Sequence, residues 1–313
     1  MPVAPPDVID RAVHELGDLA RRDEPLAPLT TYKVGGAADI YVEITDPADL
    51  HRVAAARSAS GLPVLVVGRG SNLLVADRGF GGIAVSLADV ATEIEIDTER
   101  SIVRAGSAVA LPVLARQVAT AGLTGFEWAV GVPGSIGGAV RMNAGGHGSD
   151  IAESLIDVAA FDLTTSTDIV LSTDQLGLRF RGSGLPATTI VLSARLQLGP
   201  GSADAARREL SEIVAWRRAN QPGGQNAGSV FVNPIPHVLS AGQLIDDLGL
   251  RGFRYGTASV SEKHANFIQA DPNGSADDVH QLIQLVRERV SHATGHLLRS
   301  EIRLIGFDVG ETE

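Results

Sequence analysis

Gly131-Val132-Pro133-Gly134-Ser135-Ile136-Gly137-Gly138-Ala139-Val140-Arg141-Met142-Asn143-Ala144-Gly145-Gly146 is the stretch on which the fold of this chain turns. A glycine has no Cβ, so a run this rich in glycine lets the main chain come very close to a flat ligand and leaves its N–H groups free to meet it. A compact packing turn is the alternative, but a chance loop rarely needs all of these glycines. His147, which follows, is read as a structural or solvent-facing ring.

Upstream, a helix is expected over 8–20, and Leu29 to Asp39 contains a Gly35-Gly36 turn. Ile40 to Ile44 alternates as a strand does. Asp46-Pro47 opens a helix over 49–59 by placing proline where no N–H is needed, and Leu62 to Val67 is an apolar strand. The resulting β-α-β unit delivers the chain into Gly68-Arg69-Gly70-Ser71-Asn72-Leu73-Leu74. This second glycine loop is a generic phosphate cradle or a plain turn between strands. It is not the dinucleotide fingerprint, because Leu73 stands where the third glycine belongs, and it lacks the Gly-Lys-Ser/Thr of a P-loop.

Further strands are expected at 82–87, 92–96, 102–105, 158–161 and 188–192, with a helix over 111–121 stopped by Gly122. Pro200-Gly201-Ser202 breaks the composition. The helix expected over 203–218 offers Leu210, Ile213, Val214 and Trp216 for burial. The domain division that follows is 1–200, in lobes of about 1–84 and 85–200, and then 201–313. In the last part, Asn226 to Pro234 sets Ser229 between a glycine and an Asn-Pro turn. A helix over 241–248 and a strand over 261–270 come next, then a helix beginning at Ser275 and a strand over 298–306 that puts Glu301 among apolar neighbours.

Composition narrows the function. At 313 residues and 44% hydrophobic, the chain can bury more than one core. A net charge of -11 argues against a general nucleic-acid binder or an anchor on anionic lipid. Zero cysteines exclude disulfides, thiolate metal sites and a cysteinyl nucleophile. No signal peptide and no span of roughly 20 apolar residues is visible, so a soluble, cytoplasmic protein is expected.

The ordered set Thr30-Thr31-Tyr32-Lys33-Val34-Gly35-Gly36, Gly68 to Leu74, Gly131 to Ala139, Met142-Asn143-Ala144-Gly145, Phe180-Arg181, Ala227-Gly228-Ser229, Asn233-Pro234 and Lys263-His264-Ala265-Asn266-Phe267 resembles the UDP-N-acetylenolpyruvoylglucosamine reductase family, in its shorter subtype. The resemblance implies an α+β chain. Its FAD-binding region has two lobes of the vanillyl-alcohol-oxidase-like type, followed by an α+β substrate-binding domain. It also implies noncovalent FAD reduced by NADPH and reduction of the enolpyruvyl double bond of a UDP-sugar, in a monomer with no metal.

Carried over by resemblance, Ser229 is the proton donor, and Arg181 and Glu301 sit at the substrate carboxylate. Gly68, Gly70, Ser71, Asn72, Leu73, Pro133, Gly134, Ser135, Gly137, Gly138, Asn143 and Gly145 are the cofactor contacts, and Asn233, His264 and Arg217 the substrate contacts. Val232 and Asn220 stand where the family often has lysines, and Phe180 where it usually has tyrosine. Another FAD-dependent oxidoreductase on the same scaffold, or a noncatalytic binder of flavin or a UDP-sugar, is the competing reading.

Overall fold

The computed structural model describes residues 4–87, 90–235 and 238–308. The first lobe opens with helix α1 (Pro6–Leu16) and strand β1 (Arg21–Pro25), then β2 (Ala37–Glu43), helix α2 (Asp49–Ser60), β3 (Val64–Val66), β4 (Leu73–Val75) and β5 (Phe80–Ser86). The sheet runs β1-β2-β5-β3, with β2 and β3 both parallel to β5 and β1 antiparallel at the edge. The Asp46 carboxylate accepts from the Ala48 N–H, and Gly61 ends α2 at φ +73°. Ile40 and Val42 point to one face and pack under α1 and α2, while Tyr41 packs on the other, as strand alternation requires. The helix expected over 8–20 stops at Leu16, where Gly17 turns the chain at φ +55° into a short 3-10 turn.

In the second lobe, β6 (Ile94–Asp97) and β7 (Ile102–Gly106) lead into helices α3 (Leu111–Thr120) and α4 (Ile136–Met142), then β8 (Leu155–Asp162), β9 (Thr167–Ser172) and β10 (Thr189–Gln197). The sheet is antiparallel throughout, in the order β9-β8-β10-β7-β6. Helix α5 (Ala203–Asn220) does not open the third part as the proline-glycine break suggested. Its Ala206, Leu210 and Ile213 belong to the second lobe's core, so the packing boundary lies after α5. Val214 and Trp216, expected inside, are 43% and 49% exposed.

Helices α6 (Ala241–Asp247) and α7 (Ala276–Thr294) pack with β11 (Arg254–Tyr255), β12 (Ala258–Val260) and β13 (Ile268–Ala270). Helix α7 starts where Ser275 accepts from the Asp278 N–H, and buries Val279, Leu282, Ile283, Val286 and Val290, each side chain contributing roughly 1.5–3 kcal/mol of burial. The strand expected over 261–270 is instead a turn through Ser261 to Phe267 followed by β13. The strand expected over 298–306 shortens to β14 (Arg303–Ile305).

The third part is tied back to the first lobe. β14 pairs in parallel with β4, and Tyr32 and Leu74 sit inside the third core. The buried Tyr32 hydroxyl donates to the Ile268 carbonyl at 3.1 Å. Asp77 accepts from the Ser275 hydroxyl and from the Ala276 and Asp277 N–H groups at the start of α7.

Candidate active site

Both glycine loops line one continuous cleft made of two adjoining cavities, of about 420 and 540 Å³, each within the roughly 300–1,000 Å³ usual for a small-molecule site. Gly68, Arg69, Ser135, Gly138, Arg141 and Arg303 border both cavities. Of the residues expected to meet a cofactor, Gly70, Ser71, Asn72, Leu73, Pro133, Gly134 and Gly145 line the larger cavity and Gly137 the smaller. Gly70 must be glycine. Its φ is +60°, and a Cβ would come 2.0 Å from the Leu29 carbonyl oxygen.

Asn143 lies in neither wall. It is 4% exposed and adopts the left-handed conformation that ends α4, at φ 40°. Its amide donates to the Asp150 carboxylate and the Arg179 carbonyl, and its oxygen accepts from the Ala152 N–H. Asn72 does border the cleft and also holds it together. Its amide donates to the Glu301 carbonyl, and its own carbonyl accepts from the Arg303 N–H, each at 3.0 Å.

Ser229, Arg181 and Glu301, from three separated segments, meet in the wall of the larger cavity. Gly228 at φ +79° turns the chain into Ser229, with its N–H donated to the Asn226 side chain. Beyond the serine, the Val230 N–H donates to the Asn266 carbonyl, and the Asn266 amide clamps both polar groups of the Phe231 backbone. The Glu301 N–H donates to the Val230 carbonyl at 2.7 Å. Serine and glutamate therefore sit on neighbouring extended segments. Among the described residues, the Ser229 hydroxyl has no hydrogen-bond partner.

Glu301 is not simply surrounded by apolar groups. Its Oε1 is 2.7 Å from Arg181 Nε, both side chains being about a fifth exposed, at 21% and 23%. Among the described residues that Nε–H is off line for a hydrogen bond, and the two groups form a close ion pair. Burial pushes the Glu301 carboxyl above its ordinary value, with Arg181 pulling it part of the way back. Arg181 sits at φ +56°, in a tight turn closed by reciprocal backbone bonds between Arg179 and Gly182, its guanidinium 4.9 Å from the Phe180 ring.

The expected substrate contacts divide. Arg217 lines the larger cavity, its Nε donating to Gln221. His264 and Asn233 do not border either cavity. The His264 ring packs edge-on against Phe267 and accepts from the Asn266 N–H, and Asn233 accepts from the Ala241 N–H at the start of α6.

Several lining residues went unassigned in the sequence. Trp216 and His147 meet edge-on at 5.2 Å on the larger cavity. Arg69, Arg141 and Arg303 form a cationic neck with no salt-bridged carboxylate among the described residues. Burial lowers the guanidinium of Arg141 to about 10, with Arg303 adding repulsion. Arg141 stood inside the quoted glycine run, so its position, though not its role, could have been read there.

The residues fit a dinucleotide. In that neck Arg69 and Arg303, which border both cavities, suit a diphosphate. The Ser107 hydroxyl, bordering the smaller cavity, is buried without a hydrogen-bond partner among the described residues. At Gly138 and Gly146 the nearest non-neighbouring atoms to an added Cβ, Ser135 Oγ and Val132 Cγ2, are 3.7 Å away, which leaves the main chain there open to a ligand.

Comparison with known proteins agrees. Residues 38–170 match the family described as FAD binding domain, and residues 220–305 that described as UDP-N-acetylenolpyruvoylglucosamine reductase, C-terminal domain. The chain is 41% identical over 294 residues to the UDP-N-acetylenolpyruvoylglucosamine reductase of Heliobacterium modesticaldum, spanning 93% of this chain and 92% of that one. It is 41% identical over 303 residues to the enzyme of the same name from Synechococcus sp. WH7803, with 95% and 96% covered. The solved UDP-N-acetylenolpyruvylglucosamine reductase of Thermus caldophilus superposes with a TM-score of 0.77 at 33% identity, over 91% of this chain and 99% of that one.

Proposed function

The chain belongs to the UDP-N-acetylenolpyruvoylglucosamine reductase family, and from that premise we propose how its cleft carries out the family's reaction. The protein is an FAD-dependent oxidoreductase that uses NADPH to reduce the enolpyruvyl double bond of UDP-N-acetylglucosamine enolpyruvate to UDP-N-acetylmuramate, a step in peptidoglycan precursor synthesis. The chemistry a bound FAD supplies is the relay of a hydride from NADPH to the terminal carbon of that double bond.

The residues of the chain do the rest. Negative charge builds on the carbon next to the substrate carboxylate and spreads into it, so the site must hold that carboxylate and deliver a proton to the carbon. Arg181 binds the carboxylate, because a guanidinium forms paired hydrogen bonds and does not deprotonate. Glu301, whose carboxyl burial pushes upward, lies beside Arg181 and in its protonated form donates to the same oxygens. Ser229 gives its proton to the adjacent carbon, a role supported by its unpartnered hydroxyl in the cleft wall. Arg69 and Arg303 hold the cofactor diphosphate, and Arg217 a phosphate of the nucleotide.

The observation that carries these roles is the convergence of Ser229, Arg181 and Glu301 on the cleft that both glycine loops line. One chain supplies all of them, so the reading needs no residue from a second copy. No helix among the described residues is long and apolar enough to cross a membrane, which is compatible with work in the cytoplasm. Anaerobic stopped-flow reoxidation of the NADPH-reduced protein by the enolpyruvyl nucleotide tests the reading. Rapid recovery of the oxidised flavin spectrum is expected. Failure to retain or take up FAD, or no reoxidation by the nucleotide, overturns it.

A further inference from the structure

We infer that Arg141 is a positioning residue for Arg181: from the end of α4 it holds the segment 179–189 whose turn aims the Arg181 side chain at the substrate carboxylate. The inference rests on the functional reading above and adds to it a residue that acts through another.

The segment hangs on the C-terminal end of α4 at several points. The Arg141 guanidinium donates to the carbonyls of Leu185, Pro186 and Thr189 at 2.6 to 3.2 Å. The Arg141 carbonyl accepts from the Ser183 hydroxyl at 2.8 Å. Two residues on, Asn143 donates to the Arg179 carbonyl at 3.3 Å. The anchors flank Arg181 on both sides, and none of them contacts it directly.

Such anchoring is needed at this place. Arg181 has a left-handed backbone, at φ +56°, which a residue with a Cβ rarely keeps unless its surroundings enforce it. An arginine side chain has many rotamers, so where its guanidinium ends up depends on the backbone that launches it. The planar fork of Arg141 can reach several carbonyls at once, and the compact ammonium of a lysine cannot. The hydrogen bonds of the Arg141 guanidinium among the described residues all go to carbonyls of that segment, so its donors are committed to fixing that loop.

The test is a double-mutant cycle on FAD-saturated protein. Arg141→Met and Arg181→Met, alone and combined, are followed through both half-reactions, with the dissociation constant of FAD measured separately. Expected is a 10- to 100-fold loss in reoxidation by the enolpyruvyl nucleotide for Arg141→Met, with reduction by NADPH changed less than threefold. In the Arg181→Met background the same change should add little, because coupled residues are not additive.

Arg141→Lys, which keeps the charge, should fail to restore the rate. Ser183→Ala, which cuts one anchor outside both cavity walls, should give a smaller loss of the same kind. Multiplying effects of the Arg141 and Arg181 changes, full rescue by lysine, or a wild-type rate in Ser183→Ala overturns the inference. Wild-type protein that the nucleotide does not reoxidise overturns the functional reading instead.

Discussion

Arg181 and Glu301 meet in the wall of the larger cavity with Nε and Oε1 2.7 Å apart, and yet the glutamate carboxyl is held above its ordinary value because burial outweighs the cation beside it. The sign of the resulting pH dependence follows. A carboxyl that binds its proton more tightly when folded contributes stability that is present below the unfolded value and lost as pH rises through the folded one. Melting temperatures of unliganded wild type and Glu301→Gln, measured from acid toward neutral pH, should therefore diverge in favour of the glutamine variant as pH rises, then run parallel. Divergence in the opposite direction would mean that Arg181 dominates and that Glu301 is a plain carboxylate.

Ser229→Ala should separate the two half-reactions. The hydroxyl lies in the cavity wall and makes no hydrogen bond among the described residues, so its loss leaves the fold intact. A positioned proton donor contributes about 10²–10⁴-fold. Reoxidation by the enolpyruvyl nucleotide should fall by that factor while reduction by NADPH stays near wild type. Equal losses in both, read by stopped-flow absorbance, would remove the serine from the protonation step.

Trp216 should report on occupancy of the cleft. The chain has 2 tryptophans: Trp128 is 3% exposed and Trp216 49%, with Trp216 on the larger cavity against His147. Adding the enolpyruvyl nucleotide to FAD-loaded protein should change tryptophan emission. Trp216→Phe should abolish most of that change, whereas an undiminished response would place the nucleotide elsewhere.

Periodicity and punctuation were enough for most helices, because Asp46, Gly61 and Ser275 act locally through caps and stops. The expected strands over 261–270 and 298–306 shortened because their pairing depends on distant partners: β14 exists only against β4. Trp216 looked like a core residue by helical spacing, but that face of α5 turns to the cleft. The glycine loops marked the cleft from the sequence. The stabilising bonds of Asn72, Arg141 and Asn143 reach across the chain, and no local pattern encodes them.

Asn266 is the residue on which the serine segment rests, and its removal should be felt first in stability. Its side-chain oxygen accepts from the Phe231 N–H at 3.0 Å and its amide donates to the Phe231 carbonyl at 2.8 Å, with Asn266 4% and Phe231 1% exposed. Alanine would leave both backbone groups buried without partners, each costing roughly 1–3 kcal/mol. Asn266→Ala should therefore lose about 2–6 kcal/mol in urea unfolding. Because Val230 and Phe231 fix the backbone next to Ser229, reoxidation by the enolpyruvyl nucleotide should slow at least tenfold under folding conditions while FAD remains bound. A loss below about 0.5 kcal/mol, or a variant that sheds FAD yet turns over normally when saturated with it, would show that the serine segment is held by something other than this clamp.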